Sequence, residues 1–164
     1  MPGVRPLGHS FSRKFFTEKF EKEGTDAQYL NFEIPSIEEF PNIIKNSSTL
    51  RGLNVTIPYK QQVMQHLDEI SKEAKAIGAV NVVKVSKEGL IGYNSDVIGF
   101  VNSIRPLLKP HHKKALILGT GGASKAIHYG LEEKLGMETL FVSRTARQGM
   151  ITYEEIRLGI FGFT

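Results

Sequence analysis

One lysine, one aspartate and a few small polar residues carry most of the chemistry this sequence offers. Lys60 ends the run Asn54-Val55-Thr56-Ile57-Pro58-Tyr59-Lys60, which reads as a short buried strand from Leu53 to Ile57, a proline, and then a helix to about Leu67. Ligands tend to sit at such strand-to-helix corners in open α/β sheets. Asp96 stands at a helix start just after a strand. For chemistry, Ser10 and Ser12 before this corner and Asn81 and Asp96 after it would have to converge on it. Hydride addition to a ketone leaves an alkoxide, and an ammonium group beside that oxygen stabilises the charge and donates the proton. A free lysine titrates near ~10.4, so Lys60 would need a partner and a dry site. Asp96 is the natural partner. Taken singly, each residue also has an ordinary reading. Asp is a common N-cap, Lys60 suits the surface of a helix, Ser10 and Ser12 suit cap and turn positions, and the two asparagines suit bonds to neighbouring backbone.

A second constellation follows the apolar strand Ala115-Leu116-Ile117-Leu118. The loop Gly119-Thr120-Gly121-Gly122-Ala123 precedes a helix expected from about Ser124 to Leu135, and a second strand is expected from Thr139 to Ser143. Glycines there let backbone N–H groups approach a pyrophosphate, and the helix start adds partial positive charge. The last position of the G-x-G-x-x-G/A pattern is Ser124, so the match is imperfect and a tight structural turn is the competing reading. At the end of the second strand, an NAD-binding unit offers a carboxylate to the ribose. Here stand Ser143-Arg144-Thr145-Ala146-Arg147. Two guanidiniums and two hydroxyls suit a 2′-phosphate, so the expected cofactor is NADP rather than NAD. A solvated basic loop is the alternative.

Composition sets the frame. At 164 residues, 40% hydrophobic and 23% charged, the chain is of ordinary globular type and long enough for one or two domains. No apolar run approaches the roughly 20 residues of a membrane span, and no apolar segment of signal-peptide length stands at the start. The absence of cysteine excludes disulfides and thiolate metal sites and fits a reducing compartment, so a cytoplasmic location is expected. The cluster Lys109-Pro110-His111-His112-Lys113-Lys114 lacks interleaved aromatics and reads as a solvated loop rather than a nucleic-acid surface.

The elements that must position these residues follow in order. Ser12 is expected to cap a helix running to about Glu23, with Phe15, Phe16 and Phe20 on one stripe, ended by Gly24. Tyr29 to Ile34 alternates like a strand. Ser36 and Glu39 form an expected capping box, opening a helix to about Asn46 with Pro41 near its first turn. Ser71 starts a short helix closed by Gly78. Asn81–Val85 and Leu90–Tyr93 form a hairpin around a glycine-containing turn. From Asp96 a helix runs to about Leu108, with Val97, Ile98, Phe100, Val101, Ile104 and Leu108 as a broad buried face. A domain boundary is expected near Lys109, giving parts 1–109 and 110–164. Tyr153 to Ile156 begins a further helix.

In order and approximate spacing, five motifs together resemble the shikimate dehydrogenase family. They are His9-Ser10-Phe11-Ser12, Asn54 to Lys60, Gly78-Ala79-Val80-Asn81, Asn94-Ser95-Asp96 with Gly99, and Gly119 to Ala123; Ser143-Arg144-Thr145 is similar to that family's NADP-selecting loop. The resemblance covers nearly all of residues 6 to about 155. It implies an α/β architecture, an N-terminal αβ substrate-binding domain followed by an incomplete Rossmann-like NADP-binding domain. It implies NADPH-dependent, reversible reduction of 3-dehydroshikimate to shikimate, in the shikimate pathway to chorismate and the aromatic amino acids, with no metal. By the same resemblance Ser10 and Ser12 bond the substrate carboxylate, Thr56 lies beside the substrate, and Asn81 with Asp96 holds its ring hydroxyls. Lys60 and Asp96 are then the acid–base pair. A quinate-type dehydrogenase and a shikimate-binding chain without turnover are the alternatives, and oligomeric state stays open. The family begins with an apolar strand where this chain has Met1-Pro2-Gly3-Val4-Arg5, and nothing after Ile156 resembles it. The chain is therefore expected to be altered at its start and shortened at its end, with an open sheet edge and uncovered apolar surface.

Overall fold

The computed structural model describes residues 11–159. Contacts divide the chain into two compact units, Met1–Thr49 and Leu50–Thr164.

The first unit carries helix α1, Phe11–Glu23, and helix α2, Phe40–Asn46. Salt bridges one turn apart, Lys14–Glu18 at 3.9 Å and Lys19–Glu23 at 3.2 Å, line the exposed side of α1. Phe16 stacks on Tyr29 with ring centroids 5.3 Å apart, while Phe15 is half exposed, so the expected stripe of three aromatics narrows. Because α1 already begins at Phe11, Ser12 lies inside its first turn and is not the cap. Gly24, at φ +62°, ends the helix as expected. Ser36 is an N-cap, its hydroxyl accepting the Glu38 N–H at 3.4 Å. The expected Ser36–Glu39 capping box does not form, because Ser36 accepts from Glu38 rather than Glu39 and the Glu39 carboxylate accepts from the Asn42 amide at 3.1 Å. A single 3-10 turn, Ile37–Glu39, leads into α2, with Pro41 in its first turn. No strand is assigned to Tyr29–Ile34 among the described residues.

The second unit opens with β1, Gly52–Asn54, shorter than the expected Leu53–Ile57 and outermost of four described strands. The residue before a proline is pushed out of helical backbone. The chain accordingly turns through Ile57–Gln61 before a 3-10 helix at Gln62–His66, where an α-helix was expected. Strand β2, Glu69–Ile70, leads to α3, Lys72–Ile77. Ser71 caps α3 by accepting the Ala74 N–H at 3.2 Å, and Gly78 closes it in left-handed backbone, φ +70°. The expected hairpin is β3, Val82–Ser86, and β4, Gly89–Tyr93, in register from Val82 opposite Tyr93 to Ser86 opposite Gly89. The sheet order is β1-β3-β4-β2.

Helix α4, Asp96–Ile104, passes into a 3-10 turn at Arg105–Leu107 where Pro106 intervenes. Val97 and Val101 are buried as expected, but Ile98 is 62% exposed and lies outside the buried face. Strands β5, Lys114–Leu118, and β6, Glu138–Ser143, pair in parallel around α5, Gly122–Tyr129, which continues as a π-turn at Gly130–Lys134. A third parallel strand, β7 (Met150–Thr152), was not foreseen; three residues are too few to show a period. Helix α6, Tyr153–Arg157, follows. Leu116 and Leu118 on the outer strand β5 are 36% and 67% exposed, so the expected uncovered apolar surface is present.

One buried cluster locks α3 and α4 onto α5: Ile77, Ala79, Val97, Val101 and Ala126. The helices approach closely at Gly130, where a methyl group would stand 3.0 Å from Val101 Cγ2 and 3.2 Å from Val97 Cγ2. A Gly130→Ala change combines about 0.5–1 kcal/mol of gained helix propensity with this tight contact, so its stability should stay within about 1 kcal/mol of the parent. Gly130→Val should overpack and lose about 1–3 kcal/mol, read as a lower denaturant midpoint. A second expectation concerns α6. Thr152 and Glu155 form a capping box, and the backbone N–H and then the hydroxyl of Thr152 hold the Glu155 carboxyl below the ordinary glutamate value. The folded value being depressed, the cap's contribution is complete above the unfolded value and is lost as pH falls through the folded one. The amide signals of Thr152 and Glu155 should therefore shift together on acidification, later than those of an unpaired glutamate; a Thr152→Ala variant should remove the delay.

Candidate active site

The site forms inside the second unit, where β1, β3 and β4 bring three short segments together. Val55 N–H donates to Asn81 O at 2.8 Å, which carries the β1–β3 pairing past the strand end. Asn81 N–H donates to Tyr93 O at 3.0 Å, and Val80 N–H donates to Lys60 O at 2.7 Å. Backbone bonds thus fix Lys60, Asn81 and the start of α4 as neighbours.

On this frame the side chains meet. Lys60 Nζ donates to Asp96 Oδ2 at 2.7 Å. Asn81 Nδ2 donates to the other carboxylate oxygen, Oδ1, also at 2.7 Å. The orientation of the Asn81 amide follows from its neighbours. The Ser95 N–H, which can only donate, lies 2.8 Å from Asn81 Oδ1, so Nδ2 must face Asp96. Asn81 is 9% exposed, and the Lys60 side chain is 19% exposed against 38% for Asp96. The pair is therefore sheltered on the lysine side and open on the carboxylate side. Such an arrangement can hold a hydroxyl group between an ammonium and a carboxylate and pass a proton between them.

The sequence-predicted residues fall into three groups. Lys60, Asn81 and Asp96 are brought together. Thr56 is exposed at the turn before Lys60, where its carbonyl accepts the Tyr59 N–H at 2.9 Å. Ser12 is half-buried on α1 of the first unit, and Ser10 lies outside the described residues. Sequence reasoning gave no role to Ser95, whose hydroxyl lies 3.0 Å from Asn81 Nδ2, or to Asn94. Their adjacency to Asp96 was the available signal. A hollow of about 450 Å³ along α4 has neither Lys60 nor Asp96 on its wall.

The glycine loop has the form a nucleotide needs. Gly119 adopts φ +106°, which a side chain would oppose, and its N–H donates to Val142 O at 2.9 Å. A side-chain carbon at Gly119, Gly121 or Gly122 would point into open space, so their smallness leaves room for a ligand rather than for a neighbouring element. Gly121 is the N-cap of α5 and offers no side chain to cap it; the Ser124 N–H donates to Gly121 O at 3.1 Å, and the N–H groups of Gly122 and Ala123 are left to a ligand. Ser124 is buried and turns its hydroxyl back to Gly121 O, where it braces the loop. A hollow of about 360 Å³ borders Gly119, Gly121, Ala123 and the β5 leucines. Thr120 is half-buried beside it. At the end of β6, Ser143 is buried and its oxygen accepts the Thr145 N–H at 3.3 Å, while Arg144, Thr145 and Arg147 are exposed. These residues fit a phosphorylated dinucleotide. Among the described residues no group of three or more His, Cys, Asp or Glu could hold a metal ion, and no helix is long and apolar enough to cross a membrane.

Comparison with known proteins concerns the chain as a whole. Residues 4–83 match the family described as shikimate dehydrogenase substrate binding domain. The shikimate dehydrogenase (NADP(+)) of Caldicellulosiruptor saccharolyticus is 35% identical over 93% of this chain and 56% of its own length. That of Caldanaerobacter subterraneus is 39% identical over 93% and 55%. Among solved structures, shikimate dehydrogenase 1 from Peptoclostridium difficile superposes with a TM-score of 0.80 at 37% identity, covering 93% of this chain and 59% of that one. The Thermus thermophilus enzyme, solved with NADP(H) and shikimate, gives 0.79 at 31% identity, covering 94% and 62%. The chain spans little more than half the length of the curated relatives it matches. With the five ordered motifs, the ion pair and the glycine loop in place, sequence and fold together put this chain in the shikimate dehydrogenase family.

Proposed function

We propose that this chain carries the substrate-handling half of an NADPH-dependent shikimate dehydrogenase, which reduces 3-dehydroshikimate reversibly to shikimate. The observation that carries the reading is the Lys60–Asp96 contact at 2.7 Å with Asn81 on the second carboxylate oxygen. When bound, NADPH supplies the hydride that adds to the carbonyl carbon. Lys60 then gives its proton to the carbonyl oxygen, so the ketone becomes a hydroxyl, and Asp96 balances the lysine's charge. In the reverse direction Lys60 takes that proton back. Asn81 and Asp96 hold the ring hydroxyls and Thr56 lines the substrate. For Ser10 and Ser12 we keep the role of bonding the substrate carboxylate, which the family resemblance supports. Gly119, Thr120, Gly121, Gly122 and Ala123 would hold the pyrophosphate, with Ser143, Arg144, Thr145 and Arg147 at the 2′-phosphate.

The parts 1–109 and 110–164 serve substrate and nucleotide in this reading. It is supported by the two described sheets, which stay on opposite sides of Lys109 in the sequence. A cytoplasmic location belongs to the same proposal, supported by the cysteine-free sequence. A second reading, binding of shikimate without turnover, is favoured by the exposed leucines on β5, which leave one margin of the nucleotide sheet uncovered.

Absorbance of NADPH formed from shikimate and NADP by this 164-residue chain, with calorimetry of shikimate on the same sample, separates the two readings. Turnover supports the first, binding alone the second, and neither would refute both. In a turnover-competent form, Lys60→Ala should lower kcat by roughly 10²–10⁴-fold with a small change in KM; an unchanged rate would end the assignment. Arg144→Asp should weaken NADPH far more than NADH, and equal losses would make the loop merely structural.

A further inference from the structure

Asn94 is 5% exposed, and both ends of its side-chain amide are engaged. Its Nδ2 donates to Ala79 O at 2.9 Å, and its Oδ1 accepts the Asp96 N–H at 3.1 Å. Ala79 can only accept there and Asp96 can only donate, so the amide has one orientation. The neighbours make this bridge consequential. Ala79 begins the segment Ala79-Val80-Asn81, whose Val80 N–H holds the Lys60 carbonyl at 2.7 Å and whose Asn81 side chain holds Asp96 Oδ1. Ser95 occupies the N-cap of α4 yet makes no side-chain capping bond. Its hydroxyl is turned to Asn81 instead. The Asp96 N–H, the first of α4, is held by Asn94 two residues before it, whereas a cap at Ser95 would accept from Val97 or Ile98.

We infer that Asn94 is a positioning residue: it ties the start of α4 to the Ala79–Asn81 segment, and so sets the Asp96 carboxylate between Lys60 and Asn81. The inference rests on the acid–base reading of Lys60 and Asp96. A buried amide is costly to leave unpaired, and an apolar replacement would strand both Ala79 O and the Asp96 N–H. A capping side chain serves the helix start alone, whereas Asn94 also reaches back to Ala79 O, outside the helix. The structure releases Ser95 to Asn81 and places a larger, two-ended side chain behind it.

Two variants of the whole chain test this. Asn94→Asp keeps an acceptor for the Asp96 N–H but sets an oxygen against Ala79 O. Asn94→Ser keeps a hydroxyl acceptor two residues before that N–H, with no reach to Ala79 O. NMR follows the Asn81 side-chain amide and the Lys60 ammonium, with Ile117 and Val142 in the other sheet as controls. Calorimetry gives shikimate affinity. The expected result is movement of the Asn81 and Lys60 signals in both variants, unchanged controls, and about ten-fold or greater weakening of shikimate. Should one variant fail to fold, the other decides; failure of both would assign Asn94 to the fold alone and overturn the inference. A folded variant with parental Asn81 and Lys60 signals overturns it as well. If those signals move while the parent chain binds no shikimate, the positioning role stands and the substrate reading falls.

Discussion

The contact between the Lys60 ammonium and the Asp96 carboxylate organises this molecule. Its value does not lie in stability. Asp96 is more than a third exposed, and a pair so open to water contributes on the order of 0–1 kcal/mol. What the fold invests in it is geometry. Asp96 accepts from Lys60 on one oxygen and from Asn81 on the other, while its own N–H is held by Asn94. A carboxylate restrained at both oxygens and at its backbone cannot rotate away from the lysine, which is what proton transfer to a substrate oxygen requires.

The scaffold behind the pair is arranged to the same end. Lys60 sits in a turn rather than in a helix, and its carbonyl is anchored by Val80. Asn81 leads into β3 and Asp96 opens α4, so a helix start delivers the carboxylate while a turn and a strand start deliver its two partners. Beyond them, the cluster of Ile77, Ala79, Val97, Val101 and Ala126 joins α3 and α4 to α5, whose first residues belong to the glycine loop. Close approach at Gly130 makes that joint rigid. The Lys60–Asp96 pair and the glycine loop therefore rest on one shared set of packed side chains within the unit 50–164.

Several features were readable in advance because they depend on neighbours in sequence. Ser71 and Gly78 bound α3 as a cap and a left-handed stop, the β3–β4 hairpin follows from its glycine turn, and the strand–glycine loop–helix–strand order of residues 114–143 appears as expected. The errors share a cause. The length of β1, the helix after Pro58 and the unformed Ser36 box all depend on which partner a backbone group or carboxylate finds. Glu39 chose Asn42, and the box moved to Thr152 and Glu155, where it was not sought. Ile98 was placed on a buried face by helical spacing alone, but spacing does not say how wide the covering surface is.

The amino-acid sequence by itself determined the family, through five ordered motifs, and with it the candidate groups: an amine, a carboxylate, two asparagines, a glycine loop, and arginines rather than an acid after the second strand of the nucleotide-type unit. Residue type and order suffice for that, since they define what each group can donate, accept or repel. Only the tertiary structure decided that Lys60 and Asp96, 36 positions apart, stand 2.7 Å from each other, and that Asn94 and Ser95 hold the arrangement in register. Such contacts depend on strand pairing and on helix packing across the chain, and hydrogen bonds lose their strength over a few tenths of an ångström, a precision that spacing in sequence does not encode.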